Sequence, residues 1–109
     1  MNPAGFAWPG RPDRPPIEGV VATDLAARIH ALADGHRVRI LSIIAAKDGL
    51  PMTTSEIVAA LGLSQSTVSH HLKLLVSAGL LTMERSGTWQ MYRADAEALR
   101  ELTALLAPG

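Results

Sequence analysis

Residues Gly62–Leu81 read GLSQSTVSHHLKLLVSAGLL, and the spacing of apolar residues within them decides the architecture. Val68, Leu72 and Leu75 fall at i, i+4 and i+7, the repeat of a single buried helix face. Gly62-Leu63 forms a tight turn ahead of this helix, and Ser64 is placed to cap its first turn. Gly79 marks its end, in the left-handed position that commonly closes a helix. Ser66, Ser69, His70, Lys73 and Ser77 share the opposite side. Solvated helix faces usually carry Glu and Lys, which favour helix and solubility. This face is built instead from short hydroxyls, an imidazole and a lysine, with Gln65 nearby.

Upstream, Thr53-Thr54-Ser55-Glu56 has the form of a capping box, and Ile57, Val58 and Leu61 supply the inner face of a short helix. Two helices across a short glycine-bearing turn make a helix-turn-helix unit. Before it, a first helix is expected from Thr23 or Asp24, with Leu25, Ile29 and Leu32 in phase, ending at Gly35. A second is expected from His36 to about Lys47, with Val38, Leu41, Ile44 and Ala45 on one face. Asp48-Gly49 then turns the chain and Pro51 keeps the following link extended. After Gly79, Leu80–Glu84 and Trp89–Arg93 read as strands joined through Ser86-Gly87-Thr88, and a last helix runs from about Asp95 to Leu106. The expected fold is mainly α with a small β-hairpin wing, in the order ααααββα.

Composition supports this reading. A chain of 109 residues has room for one core, and 48% apolar residues with only four aromatics favour closely packed helices over a β-sandwich. Without cysteine, disulfides, thiolate metal sites and a nucleophilic thiol are excluded. No apolar run reaches bilayer length, and proline and glycine stand where a signal peptide needs an apolar core, so a cytoplasmic protein is expected. Residues 1–22 hold five of the seven prolines and read as a disordered or extended arm; the folded domain is expected over residues 23–107. The arm is either a mobile tail or a contact segment, with Arg11 and Arg14 reaching DNA or Phe6 and Trp8 docking on the domain or its partner.

The formal net charge is zero, but the charge is segregated. Lys73, Glu84, Arg85 and Arg93 give +2 over residues 64–93, while Asp95, Glu97, Arg100 and Glu101 give −2 over residues 94–109. Local potential at a binding face matters more than the total. Short hydroxyls let a helix approach base edges and phosphates closely, so Gln65, Ser66, Thr67, Ser69, His70 and Lys73 are candidate DNA contacts. The wing adds Arg85 and Thr88, suited to the minor groove or flanking phosphates. His71, at the edge of the apolar stripe, reads as a packed structural histidine. Arg93 reads as the partner of a carboxylate, and Trp89 and Tyr92 as anchors of the sheet against the helices.

LADGHRVRIL (Leu32–Leu41), SEIVAALGLSQSTVSHHLKLLVSAGLL (Ser55–Leu81) and ERSGTWQMYR (Glu84–Arg93) together resemble the ArsR/SmtB family of winged-helix regulators, over about residues 24–106. The resemblance implies a repressor that binds a palindromic operator as a homodimer, built mainly from the first and last helices. Leu25, Ile29, Leu32, Leu99, Leu102, Leu105 and Leu106 give those helices apolar sides that fit such an interface.

Thiolate-sensing members carry cysteines near the start of the third helix, where this chain has Met52-Thr53-Thr54-Ser55-Glu56. Other members hold zinc, nickel or cobalt between their last helices. Here Asp95 and Glu97 occupy a similar start, but the last helix has no histidine, and these acids with Glu101 read as a solvated face. His30 with Asp95 or Glu97 across a dimer would make a weak site for nickel or zinc, His36 being the other free histidine. No cofactor is required, and a separate sensory subunit is the other route to a signal. The alternative function is a winged-helix protein-interaction module, or a subunit modulating another regulator. An enzyme is not expected: there is no nucleophilic triad, glycine-rich phosphate loop or His-Glu metal motif.

Overall fold

Asp34 stops one helix and starts another. In the computed structural model, which describes residues 5–106, its carboxylate accepts the amides of His36 at 2.8 Å and Arg37 at 3.2 Å. This caps α2 (Gly35–Ala45) directly after α1 (Gly19–Leu32). The order continues with β1 (Met52–Thr53), α3 (Thr54–Leu61), α4 (Gln65–Ser77), β2 (Leu81–Ser86), β3 (Trp89–Ala94) and α5 (Ala96–Leu106).

The expected capping box is complete: Thr53 Oγ1 accepts the Glu56 amide, and the Glu56 carboxylate accepts the Thr53 amide, each at 3.2 Å. Gly62 closes α3 at φ 69°, a left-handed conformation that costs glycine little. Ser64 Oγ then accepts the Thr67 amide and starts α4.

β2 and β3 form an antiparallel hairpin in which Ser86 pairs with Trp89, leaving a two-residue turn of Gly87 and Thr88. Only the first of these has positive φ, as in a type II′ turn. β1 joins the other edge of β3, with Met52 opposite Tyr92, and the sheet order is β1-β3-β2. The core lies between this sheet and the helices: Ile40, Ile44, Ile57, Val68, Leu72, Leu75 and Leu80 are the largest fully buried side chains. Among the described residues no helix is long and apolar enough to cross a membrane.

Three features differ from the sequence expectation. α1 begins at Gly19 rather than Thr23 or Asp24, and Thr23 lies inside it, donating its hydroxyl to the Gly19 carbonyl at 3.0 Å. The buried face of α2 is Arg37, Ile40, Leu41 and Ile44; Val38 and Ala45 are exposed. Trp89 does not anchor the sheet, being 57% exposed.

Residues 5–18 form no helix. They double back through paired Trp8–Arg11 backbone bonds and an Ala7-to-Pro15 bond of 2.7 Å. Phe6 is buried and meets Trp8 edge to face, and the Trp8 indole donates to the Leu105 carbonyl at 2.7 Å. The N-terminal segment is thereby pinned to the end of α5.

Candidate nucleic-acid interface

The interface starts from α4, whose two faces divide as the sequence indicated. Val68, His71, Leu72 and Leu75 are buried, while Gln65, Ser66, Thr67, Ser69, His70 and Lys73 are all exposed. At the helix start, Ser64 Oγ lies 2.8 Å from Thr67 Oγ1 and 3.3 Å from Ser66 Oγ, so three hydroxyls gather beside the Gln65 and Ser66 amides, which the helix leaves without a carbonyl partner. Such a terminus favours an anion.

Arg85 and Thr88, also exposed, lie on the wing. Strand alternation places Met83 and Arg85 of β2, with Gln90 and Tyr92 of β3, on the side facing α4. With Ser69, Lys73, Val76 and Ser77 they line an open groove of about 420 Å³ between helix and wing. Ser77 had its place on the outward face from the sequence, whereas Gln90 was not singled out, although period-two alternation from Arg85 gives its cross-strand position.

Lys73 and Arg85 make no ion pair among the described residues. The one acid on the hairpin, Glu84, is paired with Arg93 on the other side of the sheet, and Arg93 also donates to the Gly49 carbonyl at 3.0 Å. The groove therefore keeps two uncompensated cations.

Behind α4, the buried Arg37 donates to the Ala31 carbonyl at 2.7 Å and the His30 carbonyl at 3.4 Å, the open end of α1. Its guanidinium also lies 3.3 Å from His71 Nδ1. Guanidinium has no acceptor, so His71 Nδ1 accepts and the ring is neutral with its proton on Nε2. Burial pushes the His71 pKa down; Asp34 opposes this, and Arg37, His36 and His70 add to it. Burial disfavours the charged form of Asp34, but the Arg37 and His36 amides and the Arg37 charge outweigh it and hold its pKa low. Arg37 thus ties α4 to the α1–α2 corner. The sequence signal was the phase of Arg37 with Leu41 and Ile44, passed over because arginine is rarely buried.

Comparison with known proteins agrees with this geometry. A helix-turn-helix domain family matches residues 32–84. The chain is 37% identical over 84 residues to an HTH-type transcriptional regulator of Mycobacterium tuberculosis, covering 76% of this chain and 36% of that one. It therefore spans about a third of that relative's length. It is 31% identical over 75 residues to the arsenical resistance operon repressor of Bacillus subtilis, covering 69% of this chain and 70% of the repressor. The solution structure of a homodimeric winged helix-turn-helix DNA-binding domain (fragment 1–100), a possible ArsR-family regulator of Mycobacterium bovis, superposes with a TM-score of 0.69. It is 33% identical, covering 80% of this chain and 78% of that one. The chain belongs to the ArsR/SmtB family of winged helix-turn-helix transcriptional regulators.

For an ArsR/SmtB protein the remaining candidate residues concern assembly and sensing. Leu25 and Leu102 are buried within the protomer, Leu32 and Leu99 are half-buried, and Ile29 is 46% exposed. The side chain of Leu106 lies outside the described residues. Ile29, Leu32 and Leu102 line an apolar groove of about 250 Å³ with Trp8 and Leu105, so the N-terminal segment extends the surface the two helices make. His30 is exposed on α1, Asp95 accepts the Ala98 amide at 3.1 Å at the start of α5, and Glu97 is exposed in its first turn. Among the described residues of one protomer no three His, Asp or Glu side chains are grouped to hold a metal.

Proposed function

We propose that the protein is a homodimeric, sequence-specific DNA-binding repressor that places α4 of each protomer in a major groove of a palindromic operator. The observation that carries this reading is the groove between α4 and the wing, with Lys73 and Arg85 unpaired beside a helix face of hydroxyls. Lys73 and Arg85 hold backbone phosphates on either side of that groove, and the first turn of α4 receives another. Gln65 and His70 reach base edges; Ser66, Thr67 and Ser69 bond base edges or phosphates; Thr88 follows the flanking backbone. Two-fold symmetry comes from the side of α1 and α5 that carries Ile29, Leu32 and Leu102, with Leu99 on the adjoining face of α5. Supporting this assembly, the Mycobacterium bovis domain is described as homodimeric. Repression follows when the operator overlaps a promoter, and the Bacillus subtilis relative is named a repressor.

The test is fluorescence anisotropy with a duplex selected by the protein from random-sequence DNA and with an unrelated duplex. Ser69→Ala with His70→Ala is expected to weaken the selected duplex by about 10-fold or more, and the unrelated duplex far less. Equal losses on both would overturn the base-reading role of this face. Nickel or zinc added to the same titration tests metal response through His30 with Asp95 or Glu97 across the dimer. An unchanged affinity removes the metal and leaves DNA binding standing, with a separate sensory subunit as the remaining route. Failure to bind any duplex would favour the protein-interaction module.

A further inference from the structure

Trp89 is the aromatic side chain that the core does not use. Phe6 and Tyr92 are buried and Trp8 is half-buried and hydrogen-bonded, whereas Trp89 is 57% exposed. It is not part of the buried core, meets no other ring, and its indole N–H has no acceptor among the described residues. It is the first residue of β3, directly across from Ser86 and next to the two-residue turn, at the tip end of the wing and on the side of the sheet away from α4. The small Ser86 opposite it leaves the indole uncovered. Thr88 precedes it, and Arg85 lies one pair further from the turn.

An indole N–H can donate but not accept. The minor-groove edge of an A·T pair presents only acceptors, adenine N3 and thymine O2, whereas a G·C pair adds the guanine 2-amino donor. A donor-only side chain therefore finds partners over A·T and meets opposition over G·C. Apolar side chains of minor-groove-binding proteins also insert there between base steps, and a flat ring suits that approach. Resting on the reading of the helix–wing groove as a DNA site, we infer that Trp89 is a specificity-determining residue that enters the minor groove flanking each half-site and selects A·T there. Arg85, on the α4 side of the hairpin, and Thr88, in its turn, hold the adjoining backbone while the indole, on the outer side of the tip, reads the groove floor.

The experiment uses the full chain as wild type, Trp89→Ala and Arg85→Ala, each selecting from the same random duplex library. Wild type is expected to enrich paired half-sites flanked by A·T, and Trp89→Ala the same half-sites with indifferent flanks. On defined duplexes, exchanging flank A·T for G·C should weaken wild type by about 10-fold and Trp89→Ala by less than about 2-fold. Replacing the flank guanine by inosine, which lacks the 2-amino group, should restore wild-type affinity and leave Trp89→Ala unchanged. In a Trp8→Phe background Trp89 is the sole indole, and its emission should shift on binding the A·T-flanked duplex. Matching flank preference in wild type and Trp89→Ala, or loss of that preference only in Arg85→Ala, overturns the inference while DNA binding stands. An emission shift with a protein partner but none with DNA also overturns it. If wild type enriches no sequence, the DNA reading itself fails.

Discussion

Replacing Lys73 or Arg85 with alanine should change the salt dependence of DNA binding by a calculable amount. Each side chain lines the helix–wing groove and neither has an ion-pair partner among the described residues, so in free protein each cation faces solvent. One phosphate contact on B-DNA contributes about 0.9 to the slope of log affinity against log salt. A dimer makes the contact twice, so each substitution should lower the slope by about 1.8. Between about 50 and 200 mM salt, the disadvantage of the variant should then shrink by roughly 10-fold. Anisotropy titrations of a labelled duplex across that range read the slope directly.

Arg93→Ala is the control. Its guanidinium is occupied by Glu84 and by the Gly49 carbonyl, on the side of the sheet away from the groove. Its loss should leave the slope within error of wild type, even if the hairpin becomes less stable. A Lys73→Ala slope equal to wild type would refute the phosphate assignment, however much affinity is lost. A slope change in Arg93→Ala as large as in Arg85→Ala would show that the outer side of the wing, rather than the groove, carries the phosphate contacts.

Two further predictions concern the scaffold behind the interface. Because folding holds the His71 pKa below its ordinary value of 6.5, the unfolded chain protonates there first. The His71 contribution is thus fully present above that value and is lost as pH falls through it, levelling once the folded form is protonated. His71→Asn keeps an acceptor at the Nδ1 position without titrating, so its melting temperature should fall less than that of wild type on acidification; parallel curves would remove His71 from the linkage. Trp8→Phe keeps most of the apolar contact but deletes the donor to the Leu105 carbonyl. It should cost about 1 kcal/mol, lowering the melting temperature by about 4–8 °C at fixed protein concentration, and no change would show that the N-terminal segment contributes nothing to stability.

The helix-turn-helix and wing were legible because each element announces itself locally. α4 combines a 3.6-residue apolar repeat with a serine cap and a glycine stop, and the hairpin has strand-forming residues around a glycine turn. What escaped depends on distance in the chain. β1 is two residues long, too short to show alternation, and exists because β3 offers an open edge. The start of α1 was placed late because Thr23 looks like a cap, yet the helix begins at Gly19 without a side-chain cap and gains its stability from packing. Docking of Trp8 on the domain was one of the alternatives the sequence offered, but its acceptor, the Leu105 carbonyl 97 residues away, has no local signal. The outward face of α4 was legible as a set of residues, but the groove was not, since it needs Gln90 and Arg85 brought opposite Lys73 by the hairpin register.

α4 in its proposed role carries a conflict between folding and function, and the structure resolves it at the ends and back of the helix. Serine, threonine and histidine are weaker helix formers than the residues of an ordinary solvated face, each by up to roughly 0.7 kcal/mol relative to alanine. Five of the first seven residues of α4, Ser66, Thr67, Ser69, His70 and His71, are of this kind. Propensity alone would leave its N-terminal half frayed, yet the proposed function requires that half to hold Gln65 and Ser69 in a fixed register against DNA. The Ser64 cap, worth about 1 kcal/mol, closes the start, and burial of Val68, Leu72 and Leu75 at about 1.5–3 kcal/mol each holds the back. The Arg37–His71 contact adds a directional tie that apolar packing lacks, fixing the rotation of the helix relative to the α1–α2 corner. The surface can thus be chosen for what it touches, because the helix is held from behind.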